Sequence, residues 1–141
     1  MNLDSKEIAR YLGSRGADLW PEAAALAADC QRELEGTVTP RTLGRRLLRR
    51  WSAQSMAKAA VGQAVCAVWL DQLCADYCDS FLPTLDEGQY LTPAFSPGYG
   101  DWDLAAQRQV LDLLQAPKRI GLTLTAGGML VPEKSITALV G

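Results

Sequence analysis

Histidine is absent from this chain of 141 residues. Its absence excludes His-based catalytic triads, His metal sites and an imidazole general base, so chemistry that needs imidazole has to come from a partner. Long apolar runs are missing as well. The longest, Ala64 to Leu70, falls far short of the roughly twenty residues that cross a bilayer. The amino-terminal residues have no apolar core of signal type, because Asp4, Lys6, Glu7 and Arg10 interrupt them, and a cytoplasmic location is expected. The four cysteines (Cys30, Cys66, Cys74 and Cys78) form no CxxC pair. In a cytosolic chain they read as small apolar core residues. Cys74 and Cys78 can share a helix face, but the spacing of a four-ligand metal site is missing.

One sign of charge is also missing from a third of the chain. Between Ala59 and Gln107 there is no Lys or Arg, against seven acids: Asp71, Asp76, Asp79, Asp86, Glu87, Asp101 and Asp103. The first fifty-eight residues carry ten basic and seven acidic groups. The whole balances at −2, from 14 basic and 16 acidic residues, which points to neither a nucleic-acid nor a membrane-surface partner. A long one-signed stretch biases which ligands approach, though its plainer reading is a solvated acidic surface.

With 48% apolar and 21% charged residues, the composition is that of a soluble globular protein, and the length suits one domain over residues 1–141 with one core. A short helix is expected over Asp4–Leu12, capped by Asp4 with Glu7 three residues later and stopped by Gly13. Pro21–Glu35 follows, with proline in the first turn, Gly36 as terminator and Leu19, Ala23, Leu26, Ala27, Cys30 and Leu34 as its apolar stripe. Residues 1–36 thus read as a helical lead-in.

Thr39-Pro40 opens a long helical region. Leu43, Leu47 and Trp51 line one stripe; Arg41, Arg45 and Arg49 line another, beside Arg46 and Arg50. The arginines read as the wet side of an amphipathic helix, the other reading being a grip on phosphate. The region runs on from Ser52 to Phe81 as a central buried helix, with breaks expected near Ser52 or Gly62. Ala57, Ala60, Ala64 and Ala67 give it a thin face that another element can approach.

Pro83–Asp103 is a loop with three prolines, three glycines and four aromatics, Tyr90, Phe95, Tyr99 and Trp102. A loop of this length in a compact domain is usually functional or disordered, and its four aromatics argue against disorder, leaving a ligand site or a packed structural loop as the readings. Within it Ser96-Pro97-Gly98-Tyr99 suits a type II turn. Asp103 can cap a helix over Leu104–Gln115, with Leu104, Val110, Leu111, Leu113 and Leu114 inward and Pro117 as terminator. Arg119–Thr125 alternates as a half-buried strand, Gly127-Gly128 makes a turn, and Met129–Val131 and Ser135–Val140 supply further strands. The expected fold is α+β: helix-rich, with a long central helix and a small, mainly antiparallel sheet from the C-terminal third.

Residues 84–141 carry the motifs. From Tyr90 the chain reads YLTPAFSPGYGDW, then a helix, then KRIGLTLTAGGMLVPEKSITALVG. This resembles the activation domain of cobalamin-dependent methionine synthase. In that family an RxxxGY loop is followed by a helix, an LTES-type strand end and a proline–lysine–serine segment. Gly98 and Tyr99 match the loop; Pro132, Lys134 and Ser135 match the later segment. The resemblance implies that S-adenosylmethionine binds at Ala94, Phe95, Ser96, Pro97, Gly98 and Tyr99. It further implies that the chain is an activation subunit in the reductive remethylation of cobalamin, an accessory to the methyltransferase rather than an independent catalyst. Cobalamin would be carried by the partner synthase, with flavodoxin or another reductant as electron donor. Three positions depart from the pattern: Ala94 stands at the arginine, and Ala126 and Gly127 at the glutamate and serine of LTES. The segment 36–42 replaces a longer region. These departures motivate a second reading, a relative that acts as a binding module without S-adenosylmethionine.

Overall fold

The computed structural model describes residues 2–14, 18–35 and 40–141, apart from the side chains of 40–45. Among them are six α-helices, one 3-10 turn and a two-stranded antiparallel sheet, an α+β arrangement with a long central helix. The chain divides into two compact units, Met1–Gln72 and Leu73–Gly141. None of its helices is long and apolar enough to cross a membrane among the described residues.

The first unit is helical. Helix α1 (Ser5–Tyr11) starts where Asp4 accepts the Lys6 N–H with its carboxylate (2.8 Å) and stops before Gly13, whose φ is +86°. Glu7 pairs with Arg10 on the helix surface. Helix α2 (Pro21–Glu35) buries Ala23, Ala27, Cys30 and Leu34, the stripe expected from its spacing. Gly36 and Thr39, read as its stop and as the next cap, lie outside the described residues. Helix α3 (Pro40–Gln54) and helix α4 (Met56–Asp79) are separated by Ser55 alone. The Ser55 hydroxyl accepts the Lys58 N–H (2.9 Å), satisfying a donor that the new helix would otherwise leave open.

Leu47, Leu48 and Trp51 from α3 join Ile8, the buried face of α2 and Val61, Ala64, Val65, Cys66 and Val68 of α4 in one core. The thin face of α4 is not where the alanine spacing puts it. Ala57 and Ala60 are exposed, Ala67 is half-buried and only Ala64 is fully inside, because burial on α4 begins at Val61. The close approach occurs at Gly62, over which the fully buried Trp51 ring lies. A Cβ at Gly62 would sit 2.6 Å from Trp51 Cζ3 and closer still to Cε3. Burial of α4 ends at Val68, and Leu73 and Tyr77 beyond it are exposed, so the helix is buried only over its middle.

A charged cluster anchors the same indole. Trp51 Nε1 donates to Glu33 Oε2 (2.7 Å), Lys58 Nζ donates to Glu33 Oε1 (2.8 Å), and Arg50 pairs with the same carboxylate. Burial by itself would raise the Glu33 pKa, but the hydrogen bonds from Lys58, Trp51 and Arg50 outweigh it and hold the carboxyl at about 2. The bond to Glu33 likewise raises Lys58 above its ordinary value.

The second unit has a smaller core. After a 3-10 turn at Leu82–Thr84 the chain runs without helix to α5 (Ala106–Leu113), then α6 (Ala116–Ile120), β1 (Thr123–Leu124) and β2 (Leu130–Val131). The strands pair in antiparallel register, Thr123 with Val131 and Leu124 with Leu130. The turn between them closes through Gly128 N–H to the Thr125 carbonyl, as the Gly-Gly pair predicts. Leu111, Ala116 and Leu122 form the core, flanked by Leu124 and Leu130.

Five expectations are corrected here. Asp103 does not cap the helix directly; it bonds Ala105 N–H in the turn before α5. Pro117 does not end that helix. It occupies the first turn of α6, where its fixed φ and missing N–H fit, and the break is made by Gln115 in a left-handed conformation (φ 50°). Arg119 and Ile120 therefore belong to α6, which shortens the expected strand to two residues. Leu113 is 85% exposed, and Leu104 and Leu114 are exposed too, so Leu111 is the fully buried position among those expected to face inward. Finally, Ser135–Val140 forms no sheet strand: it makes a single bridge, Leu139 to Phe95.

Gly62→Ala is expected to lower stability by about 1–3 kcal/mol through overpacking against Trp51, reversing the gain of about 1 kcal/mol that alanine normally brings to a helix interior. A urea midpoint at or above that of the parent chain would contradict the packing described. For Glu33 the folded-state pKa of about 2 lies below the ordinary 4.5. Its contribution, on the order of 3 kcal/mol, is complete above about pH 4.5 and is lost as pH falls through about 2. Denaturation of the parent and Glu33→Gln should differ most at neutral pH and converge near pH 2.

Candidate functional site

The residues expected to meet a ligand lie in the second unit, on the loop before α5. Thr92 and Phe95 are tied to the C-terminal segment. Phe95 N–H donates to the Leu139 carbonyl (2.9 Å) and Leu139 N–H to the Phe95 carbonyl (2.8 Å). Thr92 N–H donates to the Gly141 carbonyl (2.7 Å), and Gly141 N–H returns to the Thr92 hydroxyl (2.9 Å). The segment that carries Ala94 and Phe95 is thereby fixed at three backbone groups and the Thr92 hydroxyl.

Beyond Phe95 the chain curls through two successive turns. Tyr99 N–H reaches the Ser96 carbonyl (3.3 Å), and Trp102 N–H reaches that of Tyr99 (3.0 Å). Gly98 has φ +91°, the positive value that a type II turn requires at its third position and that residues with a Cβ rarely adopt. This is the turn expected from Ser-Pro-Gly-Tyr. Gly98 N–H donates to the Trp102 carbonyl (2.8 Å), closing the curl. Pro97 is buried, while Tyr99 is 68% exposed.

The curl also brings two rings together. Phe95 and Trp102 stack with centroids 6.0 Å apart and planes 10° from parallel. Phe95 remains partly open to solvent and Trp102 is half-buried, so the pair presents aromatic surface on the curl that also carries the exposed Tyr99. Such surfaces attract cations through the ring quadrupole. The charged residues within and beside the curl, Asp101 and Asp103, are acidic.

The remaining motif residues are arranged differently. Ala94 is exposed and brings only a methyl group to the position at which the family pattern has arginine. Ala126 and Gly127 lie on the exposed turn between β1 and β2. Pro132, Lys134 and Ser135 follow β2, and the Ser135 hydroxyl donates to the Pro132 carbonyl (2.8 Å) rather than to the loop. Lys134 is half-buried.

Elsewhere, Arg46 and Arg49 are exposed and Arg50 is engaged by Glu33, while the side chains of Arg41 and Arg45 lie outside the described residues. All four cysteines carry thiols. Cys30 and Cys66 are buried as expected, and burial pushes the Cys30 thiol up to about 11; Cys74 and Cys78 are only half-buried. Among the described residues no group of three or more His, Cys, Asp or Glu is placed to hold a metal ion.

Two residues near the site escaped the sequence reading. Gln107 on α5 and Thr137 in the C-terminal segment are both buried and share a hydrogen bond. A signal existed: Gln107 lies four residues before Leu111, on the inward stripe of its helix, an unusual place for an amide.

Gly98→Ala is expected to lose the turn, because the left-handed backbone is strained with a Cβ that would also press on Leu104 Cδ1 at 3.2 Å. Chymotryptic cleavage after Tyr99 should accelerate at least severalfold in the variant; equal rates would show that the bend does not depend on glycine. No known family model, curated protein or solved structure matches the chain.

Proposed function

We propose that this protein is an S-adenosylmethionine-binding activation subunit, supporting reductive remethylation of cobalamin in a methionine synthase. The observation that carries the reading is the pinned bend Ser96–Tyr99, with Tyr99 open to solvent on the same curl as the stacked Phe95 and Trp102. S-adenosylmethionine bears a sulfonium, an ammonium and a carboxylate, hence a net positive charge. Aromatic faces shelter such a cation for about 0.5–2 kcal/mol, and the stretch from Ala59 to Gln107, with seven acids and no Lys or Arg, has the attracting sign.

In this reading cobalamin carried by the partner supplies the metal chemistry, with flavodoxin or another reductant as electron source. The chain's own residues bind and orient. Phe95, Tyr99 and the backbone of Ser96–Gly98 hold the ligand in one pose, and restricting that pose is the contribution to rate. The setting is cytoplasmic, where the four thiols stay reduced.

Ala94 favours a second reading, a module that engages its partner without S-adenosylmethionine. A ligand carboxylate at that position meets a methyl group, and a missing charged hydrogen bond is worth about 1.5–3 kcal/mol, or about ten- to a hundredfold in affinity.

Titration calorimetry with S-adenosylmethionine separates the two. The parent chain should bind. Tyr99→Ala, at a site 68% exposed, should leave the fold intact and weaken binding by about two- to thirtyfold. Ala94→Arg should tighten it by about ten- to a hundredfold. Silence of the parent chain at millimolar ligand would overturn the first reading, and binding gained only in Ala94→Arg would establish the second.

A further inference from the structure

The ligand-facing loop is held at both ends, and the two holders are joined by one buried polar contact. At its start, Phe95 exchanges both backbone hydrogen bonds with Leu139. At its end, Trp102 leads into Asp103, whose carboxylate accepts the Ala105 N–H (2.8 Å) at the entry to α5. At the second residue of α5, Gln107 Nε2 donates to Thr137 Oγ1 (2.5 Å). Thr137 lies two residues before Leu139. A closed circuit results: Phe95 stacks on Trp102, Trp102 continues into α5, α5 holds Thr137 through Gln107, and the chain from Thr137 returns to Phe95.

Gln107 is 3% exposed and Thr137 8% exposed, and no buried side-chain polar atom among the described residues lacks a partner. Neither group gains from water, and each has a directional need that the other meets. The apolar core of the second unit is small, with Leu111, Ala116 and Leu122 fully inside among the described residues. Apolar contact of that extent is non-directional and lets a segment slide by a fraction of a residue, whereas a hydrogen bond does not.

We propose that Gln107 is a positioning residue for the ligand-facing loop, acting through Thr137 on the backbone pair that orients Phe95. The proposal rests on the reading of residues 94–99 as ligand-facing. Gln107 touches no ligand itself. It sets where the C-terminal segment lies along α5, and so where the Phe95 ring and the bend after it stand relative to Trp102.

The test compares Gln107→Leu, the double variant Gln107→Leu/Thr137→Val and Thr137→Ser in the full chain. Each is followed by urea midpoint, by residue-resolved amide exchange and by calorimetry with S-adenosylmethionine. Gln107→Leu strands a buried hydroxyl and lowers the midpoint; the double variant removes both polar groups and recovers most of it. Thr137→Ser keeps the hydroxyl and should behave as the parent. If Gln107 positions the loop, Phe95 and Leu139 amides exchange at least tenfold faster in both the single and the double variant, with Val65 and Cys66 amides unchanged, and affinity falls at least tenfold in both. A double variant whose Phe95 and Leu139 amides regain parental protection along with stability would overturn the proposal, since the contact would then serve stability alone. Should Gln107→Leu fold poorly, the double variant decides by itself. Failure of the parent chain to bind S-adenosylmethionine would overturn the functional reading, while the exchange rates would still decide the role of Gln107.

Discussion

Between Leu85 and Asp103 the chain has neither helix nor ladder to absorb its backbone polar groups, and each one left unpaired away from water costs as much as a lost hydrogen bond. The Phe95–Leu139 pair is where this constraint is met. It exchanges both bonds, so it fixes the direction of the Phe95 side chain as well as the position of its backbone. The ring then lies nearly parallel to Trp102, and the residues between the two curl through Ser96–Tyr99. A bend that would otherwise be one conformer among many becomes a fixed surface, with Pro97 turned inward and Tyr99 outward.

In the first unit the corresponding anchor is Trp51. Its ring is fully buried over Gly62 and its Nε1 is claimed by Glu33. Packing and electrostatics converge on one side chain: the missing Cβ admits the ring, and the carboxylate satisfies the one polar atom that the ring carries inward. Glu33 in turn stays charged because three donors oppose the effect of burial. The cluster needs Arg50, Trp51 and Lys58 from α3 and α4 around one residue of α2. It therefore couples three helices through a single group.

The chemistry available to this chain follows from these placements. It lacks histidine and has, among the described residues, no clustered metal ligands. It offers an ordered aromatic surface in an acidic stretch, which is equipment for binding and orienting. That supports the role proposed above, in which the reactive groups belong to a cation-bearing ligand and to a cofactor held by a partner. In that proposed role Ala94 is the point at which the surface offers least, since a methyl group has no attraction for a carboxylate.

Local signals in the sequence were enough for much of the architecture. Asp4 and Gly13 bound α1, Pro21 opens α2 with its stripe of Ala23, Ala27, Cys30 and Leu34, and Ser96-Pro97-Gly98-Tyr99 makes its turn. Each depends on sterics or hydrogen bonds among residues a few positions apart, which the chain carries wherever it goes. What the tertiary structure decided is which apolar and polar groups are enclosed. Leu113 has the spacing of a core residue and is exposed; Ala57 and Ala60 look like a contact face and meet solvent; Ile120 and Leu122 alternate as in a strand, yet α6 takes the first of them. Gln107 is enclosed because Thr137, thirty residues away, provides its partner. Burial depends on a second surface brought from a distant part of the chain, and no local window contains that surface.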